Sequence, residues 1–157
     1  MKRSEGSGIG SLKKELAMIK VVLDTKPLIK LFAKEEGWEA VQKILAKIEG
    51  EEILGAISVV TLTEIYYKYF QEDRPDLARA RTEILKQATY LKKLHIDEDV
   101  AVKAGEFKGK YRVPIADAFI GASACLEGAI LVSDDPDYKR IKEIRSLTES
   151  EFISKFF

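Results

Sequence analysis

The chain predicts an α/β fold, a sandwich of helices around a parallel sheet, and three observations carry that reading. Short apolar runs rich in β-branched residues recur along it, each too short for a helix. Segments with apolar residues at helical spacing separate them. Proline stands at the starts of these segments and glycine at their ends. Strands that alternate with helices are the order of a parallel sheet with helical crossovers.

Val21-Val22-Leu23 is the first run, ends at Asp24, and reads as a buried parallel strand. Pro27 suits the first turn of the next helix, with Thr25 or Lys26 near the cap, and Leu28, Leu31 and Phe32 continue it toward Gly37. Val41, Ile44, Leu45 and Ile48 define a second helix closed by Gly50. Residues 53–57 form a second strand, and residues 58–70 a helix that gathers Tyr66, Tyr67, Tyr69 and Phe70 at its end. Pro75 opens a helix reaching about Lys92, and Leu94-His95-Ile96 is a third strand. A helix over 98–110 follows, then one over 115–126 that begins after Pro114 and stops at Gly128. A strand over 129–132, a helical turn over 136–141 and a fifth strand over 144–147 come next. Thr148-x-x-Glu151 is the signature of a capping box for a last helix carrying Phe152, Ile153, Phe156 and Phe157. No repeat or inner linker interrupts this order, so residues 19–157 form a single domain. Residues 1–18 begin Gly/Ser-rich and polar and read as a flexible extension, with Met18 an alternative start.

Composition excludes several function classes. The 157 residues carry 26 Lys+Arg against 26 Asp+Glu, so nothing suggests a protein that coats nucleic acid by bulk charge. One cysteine, Cys125, rules out a disulfide framework, a cysteine zinc site and a CxxC motif. One histidine, His95, rules out His-rich metal sites; it reads as a structural strand residue, and Cys125 as a buried small hydrophobe. Neither a membrane span nor the apolar middle of a signal peptide is present, so a soluble cytoplasmic protein is expected. The absence of Asn, with only three Gln among abundant Glu and Lys, resembles a thermophile's composition.

Acids fall where the predicted strands end or the helices begin, which is where open parallel sheets place their sites. Asp24 follows the first strand, and Asp134 and Asp135 follow the fourth. Glu64 lies early in the helix after the second strand, and Asp117 in the first turn after Pro114. Each has a structural reading. Asp24 would cap a helix, Thr61 and Glu64 would form a capping box, Asp117 would favour a helix dipole, and the acids of 134–137 would make a turn. Their joint occurrence points further. Several carboxylates in one crevice repel unless a cation neutralises them, and Mg²⁺ or Mn²⁺ takes carboxylate and water oxygens. Such a site can activate water against a phosphodiester without His or Cys.

Four segments then fall in order: Val21-Val22-Leu23-Asp24-Thr25, Thr61-Leu62-Thr63-Glu64-Ile65, Pro114-Ile115-Ala116-Asp117-Ala118 with Phe119-Ile120-Gly121-Ala122, and Leu131-Val132-Ser133-Asp134-Asp135-Pro136-Asp137-Tyr138. Together, from about residue 20 to 147, they resemble a PIN domain, and the compact form is most similar to the toxin subunit of VapBC-type toxin–antitoxin pairs. The resemblance implies a three-layer sandwich with a five-stranded parallel sheet, and a Mg²⁺- or Mn²⁺-dependent endoribonuclease. Asp24, Glu64 and Asp117 match the family's three invariant acids, and Ser133-x-Asp135 makes Asp135 the fourth. It implies that Asp24, Asp117 and Asp135 hold metal while Glu64 orients or deprotonates the attacking water. Ser133 and Thr25 match supporting hydroxyls, and Asp134, at a variable position, would substitute or add a ligand. Lys26 departs from the small polar residue usual there. It would pair with the acids in place of metal or contact the scissile phosphate.

Residues 103–112 carry four basic residues against one acid, making Lys108, Lys110 and Arg112 candidates for RNA contact, with an ordinary solvated helix face as the equal alternative. Four large rings within residues 66–70 cannot all face inward on one helix, so some are expected at a partner surface. The resemblance implies a homodimer and an antitoxin protein partner. Two other readings stay open: a PIN nuclease of RNA maturation or decay without an antitoxin, and a non-catalytic PIN module binding RNA or protein. A phosphoacceptor receiver lacks its paired acids here, and a haloacid-dehalogenase hydrolase would need Asp-x-Asp where Asp24-Thr25-Lys26 stands.

Overall fold

The computed structural model describes residues 18–157, so residues 1–17 of the expected N-terminal extension lie outside it. The strands are β1 (Lys20–Leu23), β2 (Leu54–Ser58), β3 (Leu91–Leu94), β4 (Ile130–Val132) and β5 (Arg145–Leu147). The helices are α1 (Thr25–Ala33), α2 (Trp38–Glu49), α3 (Val59–Gln71), α4 (Pro75–Gln87), α5 (Glu98–Tyr111), α6 (Ile115–Glu127) and α7 (Glu149–Phe156), with a 3₁₀ turn over Pro136–Arg140. All strand pairs are parallel, in the order β3-β2-β1-β4-β5. The expected five-stranded, three-layer α/β sandwich is what the chain forms.

Side-chain alternation along β1 divides the core in two. Val22 faces one way, packing with Val100, Ala104 and Phe107 of α5 and Ala118, Ile120 and Ala122 of α6. Val21 and Leu23 face the other way, toward Leu28 of α1, Ile44 and Ile48 of α2, Ile65 of α3 and Phe152 of α7. The chain builds outward from β1 through β2 to β3, then returns to the other side of β1 for β4 and β5. Connections therefore leave the carboxyl ends of β1 and β4 in opposite directions, and a crevice opens between them.

Local signals place the helix ends. The Ser58 hydroxyl accepts from the Val60 amide at 3.1 Å and starts α3. Asp97 caps α5 through the Val100 amide. Thr148 and Glu151 form the expected capping box. Gly128 closes α6 with φ +63°, a conformation that carries little cost only without a Cβ.

Several expectations shift. The capping box at Thr61 and Glu64 does not form, because Ser58 starts the helix three residues earlier. The helix expected to reach Lys92 ends at Gln87, and the third strand is Leu91–Leu94 rather than residues 94–96. Leu91 and Leu94 are both buried on an edge strand whose intervening Lys92 and Lys93 imitate a solvated helix face. Lysines on an edge strand also discourage pairing with another chain. His95 consequently lies just beyond the strand and is exposed. Cys125 is half-buried rather than buried.

Gly55 of β2 lies under α2. A Cβ there would stand 2.8 Å from Cγ1 of the buried Ile48, and closer still to its Cδ1. Gly55→Ala is therefore expected to lower unfolding free energy by about 1–3 kcal/mol, read from the midpoint of a urea denaturation curve. An unchanged midpoint would mean that α2 does not rest on this strand.

Candidate active site

Asp24 follows the last residue of β1, where its amide donates to Val132 O at 3.1 Å. It occupies the N-cap position of α1, yet its side chain makes no capping bond. Both carboxylate oxygens face inward instead. Ser133 Oγ donates to Asp24 Oδ2 at 2.6 Å, and the Tyr138 hydroxyl donates to Asp24 Oδ1 at 2.9 Å. Ser133 also accepts from the Asp135 amide at 3.0 Å, which fixes the turn carrying Asp135.

Asp117 enters from the first turn of α6, and its Oδ1 lies 3.2 Å from the same Tyr138 hydroxyl. Its Oδ2 is buried without a hydrogen-bond partner. Glu64 enters from the second turn of α3. Thr25 Oγ1 donates to Glu64 Oε1 at 2.6 Å and lies 3.1 Å from Thr61 Oγ1. Asp24, Glu64, Asp117 and Asp135 thus line one cleft of about 380 Å³, together with Lys26, Tyr67 and Lys68. A larger groove of about 510 Å³ lies at the opposite, amino end of the sheet, where Glu49, Glu51 and Glu127 line it without converging.

Electrostatics follow from this crowding. Burial pushes the Asp24 carboxyl up to about 6, although the hydrogen bonds from Ser133 and Tyr138 oppose it. Burial, then the charges of Asp135 and Asp24, push Asp117 up to about 7. Burial and the charges of Asp24 and Asp117 drive the Tyr138 phenol far upward, so it remains a donor at every working pH.

The donor set suits a hard divalent cation. Oxygens of Asp117, Asp135 and Asp137 lie within 4.8 Å of one another, and the orphaned Asp117 Oδ2 is an acceptor that protein groups leave unused. Asp137 was part of an acidic turn in the sequence and carried no role there. Its place comes from the 3₁₀ turn, in which Asp135 Oδ1 accepts from the Asp137 amide at 2.9 Å. Lys68, one helical turn beyond Glu64, and the inward hydroxyl of Tyr138 were likewise unassigned.

Other candidates stand elsewhere. Asp134 does not join the cluster as an added ligand, because its Oδ2 pairs with Lys30 Nζ at 2.5 Å, and Lys30 also reaches Glu149 at 3.3 Å. Lys26 is exposed on the cleft wall and makes no ion pair with the acids among the described residues. Lys108 donates to Val113 O at 3.0 Å, Lys110 lies 3.4 Å from Glu143, and Arg112 ends α5 in a left-handed conformation. None of these three lines the cleft.

A doubly wound sheet with converging carboxylates at its switch point defines an α/β protein with an acidic cluster of a kind that could hold a cation. The chain belongs to the PIN domain family, whose profile matches residues 21–144. It is 32% identical over 97 residues to Ribonuclease VapC4 of Mycobacterium tuberculosis, covering 59% of this chain and 75% of that protein. Among solved structures, it superposes on VapBC2 from Rickettsia felis bound to a promoter DNA fragment with a TM-score of 0.69 and 18% identity, covering 83% of this chain and 98% of the other. DNA-bound VapBC from Salmonella typhimurium gives a TM-score of 0.67 and 22% identity, with coverages of 84% and 99%.

The raised carboxyls carry a stability consequence. Asp24 and Asp117 titrate above their ordinary value of 3.8, so the folded, metal-free chain holds protons that the unfolded chain has released. Their contribution is fully present below about pH 4 and is lost as pH rises through 6 and 7, a change of a few kcal/mol. Thermal melts in EDTA should show the wild type losing more stability between pH 5 and 8 than Asp117→Asn does. Equal slopes would mean that Asp117 is not a strained carboxylate.

Proposed function

We propose that this chain is a metal-dependent endoribonuclease that hydrolyses RNA phosphodiester bonds, and that it is the toxin of a type II toxin–antitoxin pair. The observation that carries the catalytic reading is the Asp117 carboxylate, which has a buried oxygen without a partner and an oxygen within 4.8 Å of oxygens of Asp135 and Asp137. The relative named as a ribonuclease supports RNA as substrate. Structural neighbours solved as toxin–antitoxin complexes support a protein partner.

Asp24, Asp117 and Asp135 would hold Mg²⁺ or Mn²⁺, with Asp137 beside Asp117 and Asp135. The bound ion would stabilise charge on the scissile phosphate and acidify a water. Thr25 fixes one Glu64 oxygen, so Glu64 is oriented to align that water and accept its proton. Ser133 holds Asp24 and the Asp135 turn in one arrangement. Lys26 and Lys68 stand on the cleft wall where backbone phosphates would pass, and Tyr67, 47% exposed beside them, offers a face for a base. Lys108, Lys110 and Arg112 remain candidates for RNA contact only at a distance from the cleft.

Tyr66 and Phe70 stack at 6.1 Å on the outer side of α3 and are 38% and 56% exposed, while Tyr69 is buried. This divided cluster is the surface we assign to a second copy of the chain or to an antitoxin. Among the described residues no helix is long and apolar enough to cross a membrane. The working place we propose is the cytoplasm.

Two experiments test this reading. Cleavage of an unstructured RNA should require Mn²⁺ or Mg²⁺, stop with EDTA, and fall by about 100-fold or more in Asp24→Asn, Asp117→Asn and Glu64→Gln. Folded variants with full activity would end the assignment. In the cleavage-deficient Asp117→Asn background, Lys26→Ala and Lys68→Ala should each reduce the slope of log binding constant against log salt by about 0.7. Lys108→Ala should leave that slope unchanged. A slope altered by Lys108 and not by the cleft lysines would move the RNA path onto α5.

A further inference from the structure

Tyr138 is fully buried, with its ring inside the core layer beneath α6. Phenylalanine would fill that space equally well, so packing does not account for the hydroxyl. That hydroxyl touches two acids from distant parts of the chain, Asp24 at the end of β1 and Asp117 at the start of α6. A phenol has one proton to give. It therefore serves one Oδ1 fully and the other only partly, while Asp117 Oδ2 has no partner among the described residues.

We propose that Tyr138 is a positioning residue for divalent-cation binding: its hydroxyl clamps Oδ1 of Asp24 and Oδ1 of Asp117 and leaves Oδ2 of Asp117 for the cation. This rests on the metal-dependent reading of the cleft. Ser133 grips the second oxygen of Asp24, so that carboxylate is held at both ends. Among the described residues Tyr138 is the neutral side-chain donor on Asp117, whose other close neighbour is the like-charged Asp135, so the clamp matters most there. Without the hydroxyl, Asp117 is free to rotate away from Asp24 and the cation would meet a scattered set of ligands. Donors behind metal-binding carboxylates and imidazoles act in this way, and their loss typically weakens metal binding by about 10- to 100-fold.

The test uses the full chain and Tyr138→Phe. Mn²⁺ affinity by isothermal titration should fall by about 10-fold or more, and the rise in melting temperature at a fixed Mn²⁺ concentration should shrink. A packing role would lower the melting temperature equally with and without Mn²⁺ and leave affinity unchanged. That result overturns the clamp, as does a wild type that binds no Mn²⁺. If Tyr138→Phe does not fold, 3-fluorotyrosine placed at position 138 alone replaces it. Its fluorine resonance should move on Mg²⁺ addition, with the midpoint of the binding isotherm, and a stationary resonance overturns the proposal. The two readings fail separately. A wild type that binds Mn²⁺ with the expected Tyr138→Phe loss, yet cuts no RNA, removes the nuclease and keeps the clamp. A nuclease whose Mn²⁺ affinity ignores Tyr138→Phe removes the clamp alone.

Discussion

Repulsion among carboxylates in a partly dewatered crevice is the constraint on which the site depends. Burial, then the charges of Asp135 and Asp24, raise the proton affinity of Asp117, and burial, with a smaller push from the Glu64 charge, raises that of Asp24. Left alone, such a cluster would open or protonate. Here it is held by neutral donors: Ser133 and Tyr138 on Asp24, Tyr138 on Asp117 and Thr25 on Glu64. Hydroxyls fix geometry without cancelling charge. Fixed lysines in the same places would have cancelled it, and the chain keeps Lys26 on the cleft wall and turns Lys30 toward Asp134 and Glu149. The charge is thus preserved for a mobile partner.

The fold exists around that requirement. Only the crossing of the chain from the β1-β2-β3 side to the β4-β5 side brings the end of β1 beside the end of β4. The pairing that ends with Leu23 opposite Val132 sets Asp24 next to Ser133. A slip of one residue would turn Asp24 into the other layer of the sandwich, away from both hydroxyls. Burial of Val21, Val22 and Leu23 on the two faces resists such a slip.

Much of this was legible in the sequence because local chemistry and tertiary role agreed. Val21-Val22-Leu23 is buried on both faces and reads as a parallel strand. Thr148 and Glu151 cap as their spacing suggests, and Ser133-x-Asp135 is a turn in which the serine hydroxyl holds the Asp135 amide. Where they disagreed, sequence reading failed. Lys92 and Lys93 make an edge strand resemble a helix. Thr61 and Glu64 have capping spacing, but their partner is Thr25, 36 residues away for Thr61. Asp134 and Asp135 are chemically identical neighbours: the Ser133 spacing singled out Asp135, but the ion pair that takes Asp134 comes from Lys30, 104 residues away. The hydroxyl of Tyr138 meets acids 114 and 21 residues away, a relation that no local pattern encodes.

The site draws on nearly the whole length of the chain, and this has a consequence in time. Asp24 comes early, while Ser133, Asp135 and Tyr138 come after four-fifths of the residues, and Glu149, which anchors Lys30, later still. A ribosome adds residues at about 5–20 per second. For most of synthesis, then, the growing polypeptide holds its first acid without the strand that aligns it. An interrupted or truncated product carries no assembled cleft. Whatever chemistry the cleft performs is thereby withheld until the residues through Tyr138 have been made and folded back onto β1.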